Sequence, residues 1–181
     1  MDKYLIDYLQ SGKAWVLVGS GPSIDMGYPS WEQFATSAIE LIKSEAGVIG
    51  LSSINKAFDR GDYPLVLQGV KDIIGGPRLL QFLRETNKRH RIGRIYPLIA
   101  QWPVPVYLTT NFDDEIQRNL ASLGESYNVY SNSEEHMGLL VPESSGVIVK
   151  LHGDLTQEHN TILATESYNE ISSGENWNYW R

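Results

Sequence analysis

The stretch Ala14-Trp15-Val16-Leu17-Val18-Gly19-Ser20-Gly21-Pro22-Ser23 decides the fold. An unbroken apolar run ends in a glycine-rich turn, and a strongly amphipathic segment opens further on at Trp31. Residues 14–19 read as a strand that is apolar throughout rather than alternating. That pattern predicts a strand buried on both faces of a parallel sheet. Strand, glycine-rich turn, helix is the order that brings bare backbone N–H groups up to a phosphate. A dinucleotide fingerprint would run G-x-G-x-x-G. Here Gly19 and Gly21 supply the first two glycines, Ile24 takes the third place, and the next glycine is Gly27. The loop to Trp31 is therefore longer than in a dehydrogenase. The residues alone leave two readings open. Either Gly21 lets the backbone approach a pyrophosphate while Ser20 and Ser23 donate hydroxyls, or the loop is a tight joint with no ligand.

Two later segments face this loop if the sheet is parallel. Pro105-Val106-Tyr107-Leu108-Thr109 reads as a strand with its proline at the start, and it runs into Thr110-Asn111-Phe112-Asp113. Gly146 to Leu151 reads as a buried strand running into His152-Gly153-Asp154. Open α/β sheets place ligands beyond the carboxyl ends of their strands. Asn111 either caps the following helix or offers its amide to a ribose hydroxyl or a water. Asp113 either serves the helix dipole or accepts from an amide group. Among the four histidines, His152 alone follows a buried strand and precedes a glycine. Gly153 leaves room for a substrate against the imidazole, and a histidine there can act as general base near neutral pH. His152 with Asp154 makes only two ligands of a metal site, without a third in reach. His90 lies in the basic run Lys88-Arg89-His90-Arg91, read as a solvated helix face. His136 and His159 lie in polar loops.

The rest of the chain reads as mostly helical. Residues 2–11 form a short helix closed by Gly12. Ser30-Trp31-Glu32-Gln33 fits a capping box, followed by an apolar stripe that Gly47 ends. Residues 51–101 carry further helices, with Asp62 as a cap and Pro77 as a first-turn proline. That is more helix than one crossover needs, so a small helical insertion is predicted at about 51–92. A helix follows Asp113, Tyr127–Tyr130 is a short strand, and 131–145 is a polar loop. Ile162–Ala164 is a further short strand, and Thr165 opens a helix toward Ile171. The predicted fold is α/β, a Rossmann-like parallel sheet with helices on both faces.

The 181 residues suffice for a single domain with a real core. The formal net charge of −7 argues against direct nucleic-acid binding, which needs a basic field. It leaves room for an anionic ligand on a local nest of N–H groups. The absence of cysteine removes disulfides, thiolate catalysis and cysteine–zinc sites, so no zinc module and no metal are expected. The N-terminus lacks a signal-peptide apolar region, and no apolar run approaches the ~20 residues of a membrane span.

Gly19-Ser20-Gly21-Pro22-Ser23 with Gly27-Tyr28-Pro29, then Thr110-Asn111-Phe112-Asp113, then Leu151-His152-Gly153-Asp154 together resemble the sirtuin family in order and spacing. The likeness runs from about residue 14 to about 168. Protein-deacylating sirtuins carry four zinc-binding cysteines after the His-Gly, and this chain has none. Its Pro-Ser-Trp and Thr-Asn-Phe-Asp forms resemble instead the sirtuin-like domains of bacterial antiphage defence proteins, which hydrolyse NAD. The resemblance implies NAD as substrate, held by Gly19, Ser20, Gly21, Ser23, Asp25 and Asp113, with Asn111 and His152 catalytic. It implies cleavage to nicotinamide and ADP-ribose by a cytoplasmic, homo-oligomeric effector with a partner or fused domain. The chain is then the N-terminal part of a longer protein. The alternatives are an NAD-dependent deacylase or ADP-ribosyltransferase, a non-catalytic NAD or ADP-ribose sensor, and an assembly scaffold.

Overall fold

The computed structural model describes residues 2–47, 50–155 and 161–173. The chain divides into two compact units. One comprises residues 1–28 and 89–154, the other residues 29–88 and 155–181.

The first unit holds the sheet. Strands β1 (Trp15–Val18), β2 (Val106–Thr109), β3 (Asn128–Ser131) and β4 (Val147–Lys150) pair in parallel in the order β1-β2-β4-β3. Helices α1 (Lys3–Gln10), α2 (Gly21–Asp25), α7 (Ile95–Ile99), α8 (Glu115–Ser122) and α9 (Glu134–Gly138) belong to the same unit. This is the predicted α/β, Rossmann-like arrangement. Side chains alternate across a strand, so each strand feeds two layers. Val18, Tyr107 and Ile148 join Tyr96, Ile99, Ile116 and Leu120 of α7 and α8 in one apolar cluster. Val106, Val147 and Val149 form the other, with Leu108, Tyr130 and Met137 packed against it.

Strand β1 departs from its predicted burial. Val18 is buried, but Leu17 is 63% exposed and Trp15 38%. The strand lies at the sheet's edge, and the smaller second cluster covers β2, β3 and β4 without reaching it. An all-apolar run tells of strand character; it does not tell of position in the sheet.

The second unit is helical: α3 (Trp31–Glu45), α4 (Leu51–Asp59), α5 (Tyr63–Ile74), α6 (Gly76–Thr86) and α10 (Thr165–Ser173). The capping box at α3 forms both of its bonds: the Ser30 hydroxyl accepts from the Gln33 N–H, and the Gln33 side chain accepts from the Ser30 N–H. Asp62 caps α5 through the Leu65 N–H at 3.3 Å. Helix α5 packs against α3, α4, α6 and α10. Gly69 permits its close approach to α4, since a Cβ there would lie 2.7 Å from Ile54 Cγ1. Lys71 pairs with Glu166 at 2.8 Å and joins α5 to α10.

Other expectations need correction. The long glycine loop contains α2, which Pro22 starts from a first-turn position. The polar loop 131–145 contains α9, capped where the Ser133 hydroxyl accepts from the His136 N–H. The basic run beyond Lys88 is not helical; α6 ends at Thr86, and residues 89–94 are irregular. Ile162–Ala164 is buried but forms no strand among the described residues. His159 and residues 174–181 lie outside the described residues.

Candidate functional site

Parallel register sets the site. Val18, Thr109 and Lys150 are aligned across β1, β2 and β4. Ser20, Asn111 and His152 each follow two residues later, so they leave the carboxyl ends of three adjacent strands side by side. The ends are tied together. The Thr109 hydroxyl donates to the Val18 carbonyl at 2.8 Å and accepts from the Asn111 N–H at 3.0 Å. The Leu151 N–H continues the ladder to the Thr109 carbonyl at 2.7 Å.

Behind this edge lies a buried polar cluster. Ser23 Oγ is 2.7 Å from Asp113 Oδ2 and 2.7 Å from the Tyr96 hydroxyl. Asn111 Nδ2 donates to Ser23 Oγ at 3.0 Å, to the Tyr96 hydroxyl at 3.0 Å and to the Gly19 carbonyl at 2.8 Å. The proton count orients the cluster. A carboxylate only accepts, so the single Ser23 proton goes to Asp113; the Tyr96 proton is then directed to Ser23 at 2.7 Å, with Asp113 Oδ1 also in reach at 3.4 Å. The Asn111 amide has two N–H groups for three acceptors, so one N–H is shared. Tyr96 is 1% exposed. Burial first and the Asp113 charge second raise its pKa, so the phenol stays protonated.

Asn111 therefore does not cap the next helix; its amide points back to the glycine turn. Asp113 serves the start of the next helix and also takes hydroxyl donors. It accepts the Glu115 N–H at 3.1 Å at the start of α8, and it is also the one carboxylate of the cluster. Asp25 goes elsewhere: its carboxylate accepts the Arg94 N–H at 2.8 Å. Gly93 closes that contact, since a Cβ there would lie 2.4 Å from Met26 Cγ.

The glycine turn is open. A Cβ added at Gly19 or Gly21 would meet nothing within 4 Å, so packing inside the chain does not demand glycine at either place. Space beside bare backbone is what a ligand approaching that backbone needs. Gly27 is glycine for another reason: its φ is +84°, and a Cβ would press to 3.1 Å from His90 Cβ. It lets the chain turn sharply after α2.

His152 sits in the turn after β4, closed by the Gly153 N–H to the Lys150 carbonyl at 3.0 Å. Its ring faces Phe112 at 6.2 Å between centroids, tilted by 41°. Burial lowers its pKa from the ordinary 6.5. A neutral imidazole near neutral pH can accept a proton, as a general base must. Among the described residues no group of three or more His, Cys, Asp or Glu could hold a metal ion. None of the described helices is long and apolar enough to cross a membrane.

Two residues escaped the sequence reading. Tyr96 sits in an apolar helix where an aromatic reads as core. Lys150 falls within a strand that already reads as buried, and the pattern gives it no role there. It is 3% exposed, a buried cation whose acceptors lie on two loops.

Residues 105–181, which carry Asn111, Asp113 and His152, match the SIR2-like domain family. The chain is similar to the NAD(+) hydrolase ThsA of Enterococcus faecium, with 26% identity over 176 residues, 93% of this chain and 34% of that protein. It is also similar to the NAD(+) hydrolase ThsA of Cytobacillus dafuensis, with 27% identity over 170 residues, 92% of this chain and 31% of the relative. A third relative of that name, from Acinetobacter baumannii, is 24% identical over 168 residues, 91% of this chain and 32% of its own length. The chain spans about a third of the length of the curated relatives it matches.

Proposed function

We propose that this chain, sirtuin-like through residues 105–181, is an NAD glycohydrolase that releases nicotinamide and ADP-ribose. The observation that carries the reading is the alignment of Val18, Thr109 and Lys150, two residues before Ser20, Asn111 and His152, beside a glycine turn with open space at Gly19 and Gly21. The NAD(+) hydrolase relatives align across this whole region and support it.

In this proposal the pyrophosphate rests against the Gly19–Ser23 backbone. Asp113 orients the nicotinamide carboxamide, and Asn111 holds the ribose and a water. The bond from ribose to nicotinamide breaks, the electron pair leaves with nicotinamide, and oxocarbenium character develops on the sugar, as in glycoside hydrolysis. Water adds to that carbon, and His152 takes the proton the water loses, either directly or through a ribose hydroxyl that the water reprotonates. To meet substrate, Asn111 and Asp113 must give up some bonds to Ser23 and Tyr96. Exchanging one hydrogen bond for another costs far less than leaving a buried group unpaired.

The same proposal makes the chain part of a cytoplasmic, homo-oligomeric antiphage effector that works with a partner or fused domain. The test is incubation of the protein with NAD and chromatography of the products. Free nicotinamide and ADP-ribose without an acyl-lysine acceptor is the expected outcome. Intact NAD that nevertheless binds would favour a sensor, which the internally engaged Asn111 amide also fits.

A further inference from the structure

The Lys150 side chain joins the two loops of the site. Its ammonium donates to the Phe112 carbonyl at 3.2 Å, to Asp114 Oδ1 at 2.6 Å and to Asp154 Oδ2 at 3.2 Å. An ammonium has three donors, and these acceptors use all of them. Phe112 and Asp114 flank Asp113 on the loop after β2; Asp154 follows His152 on the loop after β4. The Phe112 carbonyl belongs to the peptide that leads into Asp113, and the Phe112 ring faces His152. One cation thus fixes the backbone between Asn111 and Asp113, the start of α8, and the turn that carries the imidazole.

The energetics favour a fixed arrangement. The ammonium is almost wholly buried, while the carboxylates of Asp114 and Asp154 remain partly in water. A buried cation without partners is very costly, so the loops that supply its acceptors cannot drift apart freely. Charge-assisted bonds are also the shorter and stronger kind. Nothing in the apolar packing of β4 needs an ammonium; the strand before it is Val147-Ile148-Val149.

We propose that Lys150 is a positioning residue for the reaction: it holds His152 and the Asn111–Asp113 segment in one register without touching substrate. The kinetic part of this role rests on the NAD-cleaving reading; the geometric part does not.

The experiment compares the chain with its Lys150→Met and Lys150→Arg variants. Nicotinamide release is measured against NAD concentration. In parallel, the His152 imidazole is followed by 1H–15N spectra at fixed pH, with its signals assigned by their loss in His152→Ala. Lys150→Met should lower kcat by about 10²-fold, the order expected for a misplaced catalytic group. KM should stay within about threefold, because the lost interaction acts on the chemical step rather than on ground-state binding. The His152 signals should shift, and Lys150→Arg should recover part of both effects. Wild-type kcat with unmoved His152 signals in a folded Lys150→Met variant overturns the proposal. If Lys150→Met does not fold, Asp114→Asn and Asp154→Asn each weaken one tie while Lys150 keeps the other. Lowered kcat and shifted His152 signals in these variants support the role; their absence from both overturns it. If the wild-type chain releases no nicotinamide, the NAD-cleaving reading fails alone. The His152 spectra then decide whether Lys150 positions the imidazole.

Discussion

Two polar clusters lie at the carboxyl edge of the sheet, and they are built in opposite ways. Around Asp113, one carboxylate is served by the neutral donors Ser23 and Tyr96, with Asn111 acting through them. Around Lys150, one cation is served by two carboxylates and a carbonyl. Hydroxyls and amides can change partners at low cost when a ligand offers equivalent ones. A buried ammonium cannot, because its ties to carboxylates must be made or the charge left bare. The first cluster is suited to exchange bonds with a substrate, and the second to keep still while that happens. His152 lies next to the second.

The comparison can be broken at His152 first. His152→Ala should cut nicotinamide release by about 10²–10⁴-fold, the usual worth of a general base. Unchanged release would remove the base from the mechanism and leave the fixed cluster with nothing to hold. Next, Asn111→Ala strips the exchangeable cluster of its amide. It leaves the Gly19 carbonyl short of a donor, and the loss should be about 1–3 kcal/mol in chemical denaturation, the cost of an unsatisfied buried group. It should also weaken NAD binding measured by calorimetry. Tyr96→Phe is gentler. It removes the proton donated to Ser23 but keeps the ring, so the expected cost is about 0.5–1.5 kcal/mol. A loss as large as that of Asn111→Ala would mean that the phenol anchors the cluster and the amide is secondary.

The smallest effect concerns pH. Burial holds His152 below its ordinary 6.5. The unfolded chain then binds more protons than the folded one between the two values. Stability is therefore complete above about 6.5 and declines as pH falls through the lowered native value. The acid limb of nicotinamide release should also lie below 6.5. Denaturation midpoints and rates across pH 5 to 8, compared with His152→Ala, isolate this contribution. A limb above 6.5 would mean that another group is titrating.

The register of three strand ends was readable because each apolar run stops at a chemically distinct residue: Gly19, Asn111 and His152. The α3 cap was readable because Ser30 and Gln33 are local partners. Tyr96 was not readable. Its hydroxyl meets Asn111 at a separation of 15 residues and Ser23 at 73, and nothing in Ile95-Tyr96-Pro97-Leu98-Ile99 distinguishes a phenol with partners from core filling. Helix α2 carries a local signal, Pro22 at a first-turn position, inside a stretch whose glycines read as loop. The exposure of Leu17 had none, since hydropathy along a strand carries no record of which layers will cover it. Asp25, which the resemblance places with the cofactor, has a partner that its own sequence neighbourhood does not show: its carboxylate accepts the Arg94 N–H, 69 residues away.

The bond from Thr109 to Val18 spans 91 residues of chain. Helices α3 to α6 lie between those strands, and their packing on one another spans shorter stretches of chain than this bond does. Closing so long a loop costs entropy that only the finished pairing repays, and topologies rich in distant contacts fold slowly. Strand β1 should therefore dock late, and the glycine turn meets Asn111 only when it does. Any catalytic output of this chain is then a clock on its last folding step: helical signals recover early, and turnover follows only once the first strand has found the second.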